Sequence, residues 1–193
     1  MKPISEYDFR EIVGKFVIIT NDFIKRKYNT PQIAYCYIDP EAGISFRGLG
    51  LYKEGNIEIF DNEVVISRYD ETISLDFFNS PTYEMKNIAK DIDNNIPEWL
   101  ITLRNKTEFD KYRSKAFPDD VLIPVRHITE DKRLVQEWLW VRPIRYEKDI
   151  LTGLTIEDGK DIPKGSLVII KDIMMNGYDF MSITYELFEY YGG

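Results

Sequence analysis

Between residues 32 and 78, short apolar runs recur, each closed by turn-forming residues, and this pattern constrains the fold more than any other. The runs are 33–38, 44–52, 57–60, 64–69 and 72–78. In the last, Ile73, Leu75 and Phe77 alternate with Ser74, Asp76 and Phe78. A period of two with one polar side is the pattern of an antiparallel sheet with one face in water. Asp39-Pro40-Glu41-Ala42-Gly43 and Glu54-Gly55-Asn56 are turn chemistry, and Asp61-Asn62 reads as a further turn. Gly48 and Gly50 mark a bulge or a close backbone approach.

The flanks read differently. Ser5 is a candidate N-cap, and Phe9, Ile12, Val13, Phe16, Val17, Thr20, Phe23, Ile24 and Tyr28 recur at helical spacing. This predicts one helix through about residue 28, with a strand over 16–20 as the alternative. Ser80-Pro81-Thr82 opens a helix with Met85, Ile88, Ala89 and Ile92 on one face. Pro97 begins a second helix carrying Trp99, Leu100 and Leu103, and Thr107-Glu108-Phe109-Asp110 a short third. Beyond Pro118, strands are expected at 121–125, at 134–146 with a break or bulge at Pro143, at 150–156 and at 167–170. Phe180, Ile183, Leu187 and Tyr191 predict a C-terminal helix. The class is α+β: a helix on an antiparallel meander, a helical connector, then a smaller β-rich unit closed by a helix. The expected division is 1–117 and 118–193, packed as two units or one continuous domain.

Composition narrows the function classes. The net charge is −8, and residues 58–98 alone hold 3 Lys/Arg against 10 Asp/Glu. An acidic chain disfavours phosphate backbones and anionic lipid, so neither nucleic acid nor membrane is an expected partner, and a basic protein is. The lone cysteine, Cys36, has no partner for an internal disulfide, which points to a reducing, cytoplasmic setting. It stands in an apolar run and reads as a small buried hydrophobe. No stretch has the roughly 18 apolar residues of a membrane span, and the N-terminus lacks a signal-peptide pattern.

Motifs for catalysis are thin. His127 is the only histidine and reads as a turn or surface residue. With one histidine and one cysteine, no nitrogen- and sulfur-rich zinc site can be assembled, and neither a metal nor another cofactor is expected. Asp91-Ile92-Asp93-Asn94-Asn95 lacks the glycine and glutamate of a calcium loop. Gly48-Leu49-Gly50 lacks the third glycine of a dinucleotide fingerprint. The acids Glu58, Asp61, Glu63, Asp70, Glu71 and Asp76 are candidates for a partner-binding face. Trp138, Trp140 and Arg142, on one side of a strand, form a candidate aromatic platform, or the lid of a sheet core.

Glu137-x-x-Trp140-Val141, Leu151-x-Gly153, Lys164-Gly165-x-x-Val168 and Lys171-Asp172-Ile173 resemble an uncharacterised bacterial family of unknown function. That family has a Glu-x-x-Trp-Val strand, a glycine-bearing partner strand, a Lys-Gly-Asp turn and a closing Ile-x-Asp-Trp. Here Ser166 replaces the turn aspartate, and Met175 and Asn176 follow Ile173. The resemblance spans residues 137–173 and implies a small β-rich unit with no known activity. The expected function is that of a non-catalytic binder of another protein, such as an immunity-type inhibitor of a basic toxin. The alternatives are a small hydrolase or sugar- or nucleotide-binding enzyme with a carboxylate site, and a structural accessory domain.

Overall fold

The computed structural model describes residues 1–53, 55–66, 72–128, 131–171 and 182–184, with 61–66, 126–128, 171 and 182–184 in backbone only. The chain is of the α+β class and divides into two compact units, 1–96 with 115–118, and 97–114 with 119–193.

The first unit is a six-stranded antiparallel sheet in the order β1-β6-β2-β3-β4-β5. Its strands are β1 (Lys2–Pro3), β2 (Phe16–Thr20), β3 (Gln32–Asp39), β4 (Gly43–Lys53), β5 (Asn56–Ile66) and β6 (Thr72–Phe77). A 3₁₀ turn at Ile4–Glu6 and two short helices, α1 (Phe9–Ile12) and α2 (Asp22–Tyr28), belong to this unit. Ile4, Ile12 and Ile24 cluster with Val17, Ile19, Ala34, Cys36, Ile44, Phe46 and Ile73 on one sheet face. α3 (Tyr83–Asn94) covers the other, where Met85 and Ala89 are buried among Ile33, Tyr35 and Leu49, with Ile88 and Ile92 beside them. Thr82 caps α3 by accepting from the Met85 N–H at 3.3 Å. Tyr35 donates to both carboxylate oxygens of Asp93, at 2.8 and 2.7 Å, which ties the sheet to that helix.

The single helix expected through residue 28 is corrected. The helix ends at Ile12, Val13 is extended, and Gly14 then takes φ +76°, a left-handed geometry that redirects the chain. The β-branched run Val17-Ile18-Ile19-Thr20 then pairs with β3 and β6 as β2. The helical spacing arose because β2 and its two flanking helices place Phe9, Ile12, Val13, Val17, Ile24 and Tyr28 in one core, while Phe16 packs on the other face and Phe23 is exposed. Cys36 is fully buried, and burial pushes its thiol well above its ordinary range.

Two features of the meander also differ. Asp61-Asn62 does not turn the chain back. β5 runs through it, and residues 60–63 bulge opposite Leu49, between the pairs Gly50↔Ile59 and Gly48↔Val64. β6 does not pair with β5; it lies between β1 and β2. The expected importance of Gly50 holds, since a Cβ there would lie 2.5 Å from the Glu58 carbonyl oxygen.

In the second unit, α4 (Glu98–Asn105) and a 3₁₀ segment at Thr107–Tyr112 precede a sheet in the order β11-β10-β9-β8-β7. Its strands are β7 (Val121–Ile128), β8 (Leu134–Glu147), β9 (Ile150–Thr155), β10 (Leu167–Lys171) and β11 (Ser182–Thr184). β11 pairs with β10 and also approaches β7, so the sheet curls its two edges together. The register shifts between Pro143 and Arg145, as the proline leads one to expect. Ser182–Thr184 form a strand, so the predicted C-terminal helix does not run through them. The rest of that stretch lies outside the described residues.

Substituting Gly50→Ala should force β4 and β5 apart. The expected loss of stability is about 2 kcal/mol, measured as a lowered urea midpoint with an unchanged slope.

Candidate functional site

Of the sequence-predicted acids, Glu58 and Asp76 lie on opposite faces of the sheet. Glu58 pairs with Leu51, Leu51 with Gln32 and Gln32 with Ile19, which places Glu58 on the face that carries α2. Asp76 pairs with Ile18, which packs on the opposite face with α3. The two acids also stand four strand spacings apart, about 19 Å at ~4.8 Å per strand. Both are exposed. Asp61 and Glu63 lie on β5 with their backbones described, and Asp70 and Glu71 lie outside the described residues.

Beside Glu58 the first unit has a groove of about 590 Å³, lined by Tyr28, Asn29, Thr30, Leu51, Lys53 and Glu58, with Asn56 and Ile57 at the hairpin end. α2 ends here because Asn29 adopts the left-handed conformation (φ 51°), its N–H bonded to the Lys25 carbonyl at 3.0 Å. The β4–β5 pairs Leu51↔Glu58, Tyr52↔Ile57 and Lys53↔Asn56 form the other wall. The Tyr52 N–H bonds to the Pro31 carbonyl at 2.9 Å and joins the two walls. Tyr28 is held by the Phe60 ring at 5.7 Å and by the Lys27 ammonium at 5.0 Å. Sequence reasoning singled out Glu58 alone of these residues. The left-handed Asn29 is the local signal that could have marked the place, because it directs Thr30 and Pro31 across the sheet end.

The predicted platform is engaged in structure. Trp138 is 44% exposed, and its ring stacks on Tyr112 at 5.9 Å and 25°. Trp140 is half-buried, and its backbone N–H donates to Glu157 at 3.0 Å. Arg142 donates to both carboxylate oxygens of buried Asp120, at 3.0 and 3.1 Å. The neighbouring Asp119 takes the same two-pronged bond from Arg104 of α4, at 2.8 and 2.6 Å. Arg142 is therefore an anchor for the Asp119-Asp120 turn and not an open ligand donor.

Other acids serve the fold too. Glu137 accepts from the Lys160 N–H at 2.7 Å and Asp158 from the Lys164 N–H at 2.8 Å, fixing the loop between β9 and β10. At the β8–β9 turn, Asp149 accepts from the Tyr146 hydroxyl at 2.8 Å and the Lys106 ammonium at 3.1 Å. These bonds hold its carboxyl below its ordinary value, the tyrosine bond having the larger effect. Among the described residues, no cluster of three or more His, Cys, Asp or Glu could hold a metal ion, and no helix is long and apolar enough to cross a membrane. His127 lies on β7 with its side chain outside the described atoms. No family model matches the chain, nor does any curated protein or solved structure.

Two outcomes follow. Arg142→Met leaves Asp120 as an uncompensated buried charge. It should cost about 2 kcal/mol, less than for a fully buried pair because the arginine is partly exposed, read from chemical denaturation. Asp149 has a depressed folded pKa, so its contribution is fully present above the ordinary value of 3.8 and fades as pH falls through the folded value. Asp149→Asn retains a residue tolerant of φ 59° and should remove that acid-limb contribution, seen as a shallower loss of melting temperature below about pH 4.

Proposed function

We propose that the protein is a non-catalytic binding protein whose partner is a basic protein docked along the outer edge of the six-stranded sheet. The observation that carries this reading is β5. It is an edge strand of eleven residues, and among the described residues it pairs with β4 alone. An exposed edge offers unpaired N–H and C=O groups to an incoming strand, and proteins commonly block such edges with lysine or proline. The β5 sequence, Asn56 to Ile66, contains neither, and carries Glu58, Asp61 and Glu63. Its charge attracts a basic chain at close range, within a screening length of about 8 Å at physiological ionic strength. Cytoplasmic inhibition of a basic toxin, in the manner of an immunity protein, is the form of this reading that suits the size and charge of the chain.

The test compares Glu58→Lys, Asp61→Lys and Glu63→Lys combined with Asp76→Lys alone. Binding kinetics are measured against a basic protein partner identified by cross-linking through β5. The triple variant should slow association by about tenfold at low salt and flatten its salt dependence. Asp76→Lys should remain within about twofold of the parent, since it lies on the other face. Equal effects of the two would mean that only overall charge matters and would sink the edge reading.

A further inference from the structure

We propose that the groove between the end of α2 and the β4–β5 hairpin is a binding site for a neutral, hydroxyl-rich ligand the size of a mono- or disaccharide. This goes beyond edge docking, since it uses side chains around a cavity and not the open backbone of β5.

Its volume of about 590 Å³ lies in the range of small-ligand sites. The floor is half-buried and is made by Tyr28, Thr30 and Leu51, while Asn29, Lys53, Asn56 and Glu58 form an exposed rim. Among the described residues, the side chains of Asn29, Thr30, Lys53, Asn56 and Glu58 make no hydrogen bond or ion pair. Five polar side chains thus line one cavity without a protein partner among the described residues. Lys53 and Glu58 are not paired with each other although they line the same space.

The donor set indicates the ligand class. Among the described lining residues, Lys53 and Glu58 carry opposite charges, so the lining favours neither an anion nor a cation. A phosphorylated ligand would meet one ammonium and be opposed by Glu58; a basic ligand would meet the reverse. The two amides and the hydroxyl each donate and accept, as sugar hydroxyls do. Tyr28 and Leu51 supply apolar surface for the C–H side of a sugar ring. The walls are pre-formed by the β4–β5 pairs and by the Asn29 cap, which lowers the ordering cost of binding.

A buried polar group lies one strand inward from the groove lining. Gln32 is the next residue in the row Glu58–Leu51–Gln32, on the same face. It is fully buried, and neither polar atom of its amide has a hydrogen-bond partner. An apolar residue would pack at this position without that cost. Breaches of the local rules of folding concentrate at functional sites.

The test is a backbone amide NMR titration of the full chain with glucose, galactose, N-acetylglucosamine and maltose, and with glucose 6-phosphate and glucosamine as charged counterparts. At least one neutral sugar should shift the amides of Asn29, Thr30 and Leu51 through Ile57 in a saturable way. Thr30→Val and Asn56→Ala together should weaken it by about tenfold, two lost hydrogen bonds' worth, with the remaining spectrum unchanged. These substitutions leave the β5 acids intact, so the edge reading is tested separately. The proposal is overturned if no neutral sugar shifts these amides at up to about 10 mM, ten times a millimolar site. It is also overturned if the charged sugars bind as well as the neutral ones, or if the double variant binds like the parent.

Discussion

Both faces of β3 are buried, and the first unit is arranged around that constraint. Ala34 and Cys36 face the cluster that contains Ile4, Ile12 and Ile24, and Ile33 and Tyr35 face α3. A strand buried on both sides needs full pairing at both edges, because an unpaired backbone group away from water costs about as much as a lost hydrogen bond. β2 and β4 supply that pairing. The bulge near Ile33 and the close approach at Gly50 then let the outer strands curve without breaking the ladder.

The second unit depends more on charge. Adjacent aspartates, Asp119 and Asp120, are held by arginines from α4 and β8. Arg113 reinforces the same region by donating to the Leu103 carbonyl at 2.6 Å. Glu137 and Asp158 accept backbone N–H groups of the β9–β10 loop, and Glu157 accepts the Trp140 N–H of β8. A count of acids therefore overstates the charge free to act on a partner. Much of it in this unit is committed to backbone groups and guanidinium forks, where each bond is stronger than a neutral one.

In the first unit the situation is reversed. Around the groove, polar side chains stand without protein partners, and along β5 the backbone edge is open among the described residues. Both features lie at the β5 side of the sheet, remote from Asp76 on the opposite face. The two features share Glu58, whereas Asn29 and Thr30 belong to the groove and Asp61 and Glu63 to the strand edge, so substitutions can separate them.

The α+β class, the amphipathic face of α3, the buried Cys36 and the glycine approach at Gly50 were legible in the residues, because each depends on local spacing or local sterics. The extent of the N-terminal helix was not. Phe16 to Thr20 satisfies a helical period and a strand equally, and pairing with β3 and β6 decided between them. Nor could local pattern place Glu58 and Asp76 on opposite faces, since face identity is fixed by register across intervening strands. The pairing of Arg142 with Asp120 joins residues 22 positions apart in sequence, so the arginine of an apparent aromatic platform became an anchor. The groove, too, arises only when the end of α2 meets the β4–β5 hairpin. Sequence fixes which groups are polar or apolar and how they repeat, whereas the long-range ladder decides which of them meet, because that depends on pairing partners that no local period encodes.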